Sequence, residues 1–206
     1  MRLSCLASRR ARETDFLRVD PAEYLALDLE AHALLRGVPL RDVSVVDLPG
    51  GGEGRKVADA KRLLFASERR GLASRALFGF RFWLGRVFGW DRPVSERLYS
   101  DARVPDALRR RSLVPTGTRD GLFRVLYELP REALGEVRNA TVHGFVCSAL
   151  VPRAGGHRFY FAVYVAPVSR FTPLYMAAIE PFRRFVIYPA MLARLRAAWQ
   201  SAYPQT

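Results

Sequence analysis

Lysine is nearly absent from this 206-residue chain: Lys56 and Lys61 are the only two among 33 basic side chains, the rest being arginine. Cysteine is scarce too. Cys5 stands in a polar head and Cys147 in an apolar run, so no framework of paired spacings exists, which excludes a disulfide scaffold and suits a reducing, cytoplasmic setting. The three histidines, His32, His143 and His157, share no metal-ligand spacing with one another or with the cysteines, and no metal is expected. Long apolar runs are missing as well. Near the C-terminus they reach about nine residues on either side of Glu180 to Arg184, against the roughly 20 that a membrane span requires. The head MRLSCLASRRARETD has no apolar stretch leading to a cleavage site, so a secretory signal is not expected. Around Ser44, Ser148 and Ser169 the glycines of a nucleophile elbow are lacking, which removes support for that type of hydrolase.

What is present is the composition of an ordinary globular protein, 50% apolar and 26% charged, with a net charge of +13. Clustered cations would suggest phosphate binding, yet residues 1–40 carry six basic and six acidic side chains and the excess is spread over the remainder. Without a recognised module beside the charge, a nucleic-acid partner is not expected. The stretch LPGGGEGRKV follows a strand-like run and precedes a helical one, the setting of phosphate-cradling loops. Its spelling fails. Arg55 stands where a P-loop needs glycine before the lysine, no three of the glycines fit a dinucleotide fingerprint, and Glu53 would repel phosphate, so the loop reads as a turn and no cofactor is expected.

Local patterns give the elements. Asp20 as N-cap, Pro21 at the first turn and Gly37 as stop predict one helix over PAEYLALDLEAHALLRG. RDVSVVDLP alternates and predicts a strand from about Asp42 to Leu48, followed by a helix near Val57 to Arg69. Residues 71–90 read as an aromatic helix whose Phe78 and Phe82 lie near Arg75 and Arg86. From Leu122 the period changes to two: LFRVLYEL, EVRNATVHGFVCSALV and HRFYFAVYVA predict three strands of an antiparallel meander, with weaker edge strands in VSERLYS and RRSLVPTGT. The final stretch, PLYMAAIEPFRRFVIYPAMLARLRAAW, is helical in spacing but carries Pro173, Pro181 and Pro189. Thr172 can cap and Pro173 can fill the first turn; the later prolines mark kinks of a curved helix or boundaries between shorter ones.

Candidate ligand contacts follow from the strand alternation. Asn139, Thr141, His143, Phe145 and Cys147 fall on one face, with Glu136, Arg138, Val142 and Val146 on the other. Hydrogen-bonding groups among apolar ones suit a cavity wall, and an imidazole there can move protons. Tyr160 and Tyr164 share a face with Ala162, opposite Phe159, Phe161, Val163 and Val165. Arg183 and Arg184 beside the prolines suit a mouth that admits an acidic or amphiphilic molecule.

The stretches DVSVVDLPGGG, ALFGFRFWLGRVFGWD, SLVPTGTRDGLFRVLYELP, NATVHGFVCSAL and FYFAVYVAPVSRFTPLYMAAIEPFRRFVIYPAMLARLRAAW together resemble a largely bacterial family of unknown function, itself similar to the START-like superfamily of polyketide cyclases and pollen-allergen-type lipid binders. That resemblance implies an α+β helix-grip: a curved antiparallel sheet around a long C-terminal helix, with an apolar cavity between them. It assigns no catalytic residue. Residues 1–40 are then an N-terminal extension with one helix, and 41–206 the START-like domain.

The expected function is binding of a hydrophobic or amphipathic small molecule between the face of Asn139, Thr141 and His143 and the C-terminal helix. A cyclase- or isomerase-like enzyme would use the same cavity, with His143 as base and Tyr164 or Tyr127 polarising a carbonyl. Peripheral association with an anionic membrane surface, through Phe78, Phe82, Trp90, Arg75 and Arg86, is the third reading.

Overall fold

The computed structural model describes residues 19–68, 103–121, 123–138, 142–168, 176–177, 180–181 and 183–204. Two short helices, α1 (Pro21–Leu25) and α2 (Glu30–Leu34), lead into strand β1 (Leu40–Pro49) and helix α3 (Val57–Glu68). Helix α4 (Asp106–Arg111) precedes β2 (Arg119–Asp120), β3 (Phe123–Glu128), β4 (Glu132–Arg138), β5 (Val142–Arg153) and β6 (Gly156–Pro167). A π-turn over Arg183–Ile187 then opens the C-terminal helix α5 (Tyr188–Ala202).

All strands join one antiparallel sheet in the order β1-β6-β5-β4-β3-β2. Register shifts between Leu40 and Asp42 in β1 and between Val125 and Tyr127 in β3 mark bulges, which bend and twist a sheet. With α5 laid across one face, this is the α+β helix-grip arrangement.

Three expectations change. The single run 136–151 is two strands: β4 and β5 pair with Arg138 opposite His143, so the chain reverses between them. Residue parity does not carry across a reversal. Glu136 and Arg138 therefore share a face with His143 instead of opposing it. The N-terminal helix is likewise broken into α1 and α2, because Leu29 is extended (φ −124°, ψ 135°) and offers α2 no side-chain cap. Glu132 of β4 supplies the missing acceptor, its Oε1 taking the Glu30 N–H at 2.8 Å. The edge strand expected in RRSLVPTGT is instead the end of α4 and a loop, with β2 just beyond it. The helix over 71–90 and the strand in VSERLYS lie outside the described residues, as do Thr172 and Pro173.

Each face of the sheet has its own cover. On one side Val43, Val45, Phe145, Cys147, Ala149, Tyr160, Ala162 and Tyr164 pack under Tyr24, Ala31 and Leu35 of the N-terminal segment and Leu108 of α4. On the other, Val46, Leu48, Leu150 and Phe159 pack under Val57, Ala60 and Leu64 of α3 and Met191, Leu192, Leu195 and Trp199 of α5. The space beneath α5 is thus filled by core side chains along most of its length, not left as the continuous cavity that the resemblance implies. His143 lies on the far side of the sheet from α5.

The glycine-rich loop finds its role here. Gly51 has φ +89°, and a Cβ there would come within 2.7 Å of Trp199. Trp199 Nε1 donates to the Pro49 carbonyl at 3.2 Å, and the Arg55 guanidinium covers the Tyr203 ring at 4.0 Å while Nε donates to the Gly51 carbonyl at 2.6 Å. The loop is a socket for the end of α5. Gly51→Ala combines left-handed backbone strain with overpacking and should cost about 2–4 kcal/mol in urea unfolding. An unchanged unfolding midpoint would show that Trp199 does not seat there.

Candidate functional site

The open space lies at the start of α5, against the edge strand. Pro189 has no N–H for the Phe185 carbonyl four residues back, and the turn before it is wound wider, as a π-turn over Arg183–Ile187. Two consecutive arginines part ways there. Arg183 turns inward: its Nη2 donates to Asp42 Oδ2 at 2.8 Å and its Nε to the Tyr188 hydroxyl at 2.7 Å, pinning the turn to β1. Burial pushes the Tyr188 phenol up, so it stays protonated, and its ring meets Phe161 edge-on at 5.5 Å. Arg184 stays exposed, 5.2 Å from the Phe185 ring, which is itself 70% exposed.

Between these walls is a cleft of about 260 Å³. Asp42 to Val45 of β1 form its floor; Tyr188, Pro189 and Leu192 of α5 and Phe185 form the apolar wall; Glu180 and Arg184 bring charge to it.

The opposite face carries the phenols, and each is engaged within the protein. Tyr160 donates to Glu23 Oε1 at 2.6 Å, and Arg158 bridges Glu23 to Asp47. The Tyr160 hydrogen bond and neighbouring Arg158 hold the Glu23 carboxyl below its ordinary range. Tyr164 donates to the Tyr24 hydroxyl at 3.3 Å, with His32 Nδ1 at 3.4 Å. Burial pushes the Tyr164 phenol up to about 12, and the Cys147 thiol likewise to about 12, so neither is a nucleophile or base at neutral pH. Tyr127 donates to Glu132 Oε2 at 3.1 Å.

His143 is buried beside Glu136, whose side chain has no solvent exposure. Arg138 Nη1 can only donate, at 3.1 Å, which makes His143 Nδ1 the acceptor and puts the ring proton on Nε2, directed to Glu136 Oε1 at 2.5 Å. Both ring nitrogens are thereby occupied. A small pocket of about 110 Å³ adjoins the ring, lined mainly by Leu34, Leu35, Val38, Leu126 and Phe145.

The structure therefore divides the expected contacts. Tyr127, Tyr160, Tyr164 and His143 sit beneath the N-terminal segment, Arg184 lines the cleft, Arg183 buttresses it from behind, and Asn139 and Thr141 lie outside the described residues. Ser44, Glu180, Phe185, Tyr188 and Leu192 line the cleft without having been singled out. The spacing of Pro181 and Pro189 around RRFVIY marked the place and its two arginines, but not these five residues. Among the described residues no group of three or more His, Cys, Asp or Glu is arranged to hold a metal. No described helix is long and apolar enough to cross a membrane.

Two substitutions test the phenol face. His143→Leu removes a hydrogen bond to the buried Glu136 side chain and should cost about 1–3 kcal/mol in denaturant unfolding. An unchanged midpoint would show that the pair does not support the fold. Burial raises the Glu132 pKa from its ordinary 4.5, so the folded state holds that proton more tightly than the unfolded chain. Its contribution is complete below the ordinary value and is lost as pH rises through the raised one. Relative to the native protein, Glu132→Gln should gain stability as pH rises above the ordinary 4.5 in urea titrations; a constant difference would contradict the burial argument.

Residues 34–190 match the model of the family described as Protein of unknown function (DUF2867). No curated protein matches the sequence. Among solved structures, the di-domain ARO/CYC StfQ from the steffimycin biosynthetic pathway is similar at 14% identity and a TM-score of 0.40, over 97% of this chain and 60% of that one. The chain thus spans three-fifths of that neighbour's length, and a likeness of this degree assigns no residue a role. The family match runs from the end of α2 through the sheet to the start of α5 and takes in every cleft residue but Leu192, and the chain belongs to the DUF2867 family.

Proposed function

We propose that the protein binds a small amphipathic molecule in the cleft between β1 and the start of α5. The observation that carries this reading is the cleft itself: about 260 Å³ of open space, apolar along Tyr188, Pro189, Leu192 and Phe185, polar at Asp42, Ser44, Glu180 and Arg184. Small-molecule sites have this make-up, a mostly apolar wall with a few oriented polar groups, and run from about 300 to 1,000 Å³. The size favours a ligand at the small end of that range.

Several features support a pre-formed site. The Arg183–Asp42 ion pair is largely shielded, with side-chain exposures of 13% and 15%, and fixes the π-turn against the strand. Tyr188 is clamped between that pair and Phe161. A wall already ordered loses little entropy when a ligand arrives. On the phenol face, the described hydroxyls, imidazoles and carboxylates bond to one another, and the pocket beside His143 is less than half as large.

Ser44→Trp places an indole on the cleft floor at a partly exposed strand position that tolerates aromatics. Ligand-observed NMR with a set of small aromatic acids, amines and neutral phenols should show binding to the native protein and its loss in Ser44→Trp, at unchanged thermal stability. Equal binding by both proteins, or none by the native one, would refute the assignment.

A further inference from the structure

The cleft holds two opposite charges that do not neutralise each other. Glu180 and Arg184 are four residues apart with the acid on the N-terminal side, the order that pairs well on an α-helix. Here no ion pair forms between them, and neither has an ion-pair partner among the described residues. Arg184 belongs to the π-turn, and its guanidinium lies near the Phe185 ring at 5.2 Å. The neighbouring cation cannot serve the acid either, since Arg183 is committed to Asp42 and Tyr188. Glu180 lines the same cleft as the aromatic Tyr188.

From this separation of charge, and resting on the reading of the cleft as a binding site, we propose that its ligand is a zwitterion of the α-amino-acid type with an apolar or aromatic side chain. A carboxylate accepts from the Arg184 guanidinium, an ammonium donates to Glu180, and the side chain lies along Tyr188, Pro189 and Leu192. A plain anion would leave Glu180 beside it unpaired. A plain cation would do the same to Arg184. Only a molecule bearing both signs satisfies the two groups together, and one the size of an amino acid suits a cleft of about 260 Å³.

The test uses three matched probes, phenylalanine, 3-phenylpropanoate and 2-phenylethylamine, with phenol as a neutral reference, titrated by NMR into the full chain and into Arg184→Gln and Glu180→Gln. Phenylalanine should bind about tenfold or more tighter than either singly charged probe, the worth of one added charge-assisted hydrogen bond. Arg184→Gln should weaken phenylalanine and phenylpropanoate but not the amine. Glu180→Gln should weaken phenylalanine and the amine while leaving phenylpropanoate equal or tighter. Both substitutions are at partly or fully exposed positions, and unchanged melting temperatures confirm that the fold is intact. If a singly charged probe or phenol binds as tightly as phenylalanine, or if neither substitution changes any affinity, the zwitterion assignment is overturned and the cleft stands as a site for another class. If no probe, phenol included, perturbs the cleft, both readings fail.

Discussion

A missing backbone proton at Pro189 shapes the part of the molecule that lines the cleft. Because that residue cannot bond back to Phe185, the helix starts late and the turn before it widens. Widening sends one arginine into the protein and leaves the next outside. The inner guanidinium joins Asp42 on the first strand to Tyr188 on the last helix, two elements about 140 residues apart in the chain, and so holds the cleft walls at a fixed separation. Close packing of α5 on the sheet resumes from Met191 onward and ends at the Gly51 socket. The opening is therefore a local consequence of one proline in a helix otherwise well docked.

The two faces of the sheet bury their polar groups in different ways. Beneath α3 and α5 an aliphatic and aromatic core surrounds a few of them, Glu128 paired with Lys61 of α3 and His157 edge-on to the Trp199 ring. Under the N-terminal segment, phenols, a thiol, imidazoles and carboxylates are buried and bonded among themselves, and the sheet even caps a helix of that segment through Glu132. Buried polar networks of this kind rigidify and fix one arrangement when all members are satisfied. The N-terminal segment is accordingly an integral cover of the sheet, and its removal would expose the side chains of Tyr24's neighbours Tyr160 and Tyr164 together with the Glu136–His143 pair.

Strand alternation was legible wherever the chain ran straight. β1, β5 and β6 fall where the period-two pattern places them, and the division of β6 into Tyr160, Ala162 and Tyr164 against Phe159, Phe161 and Val163 holds in the packing. Alternation failed at the reversal between Arg138 and Val142, since a hairpin resets parity and nothing in EVRNATVHG carries a glycine-based turn signal before Gly144. Which side of the sheet α5 would choose was not legible either. Both faces of β5 and β6 are apolar enough to accept a helix, and the choice is made by distant partners, α3 on one side and the N-terminal segment on the other. Prolines pointed to the site because they act through the backbone, whereas Ser44 and Glu180 carry no local signature and became visible only once β1 and the π-turn were brought together.

The proposed binding site is the open space between β1 and the π-turn. A crystal structure of the protein soaked with small aromatic amino acids addresses it most directly. Density for the guest between Ser44 and Tyr188, with the Arg183–Asp42 pair unchanged, is the predicted result. A cleft closed by its own side chains, or the guest lodged beside His143 on the other face of the sheet, would contradict the account.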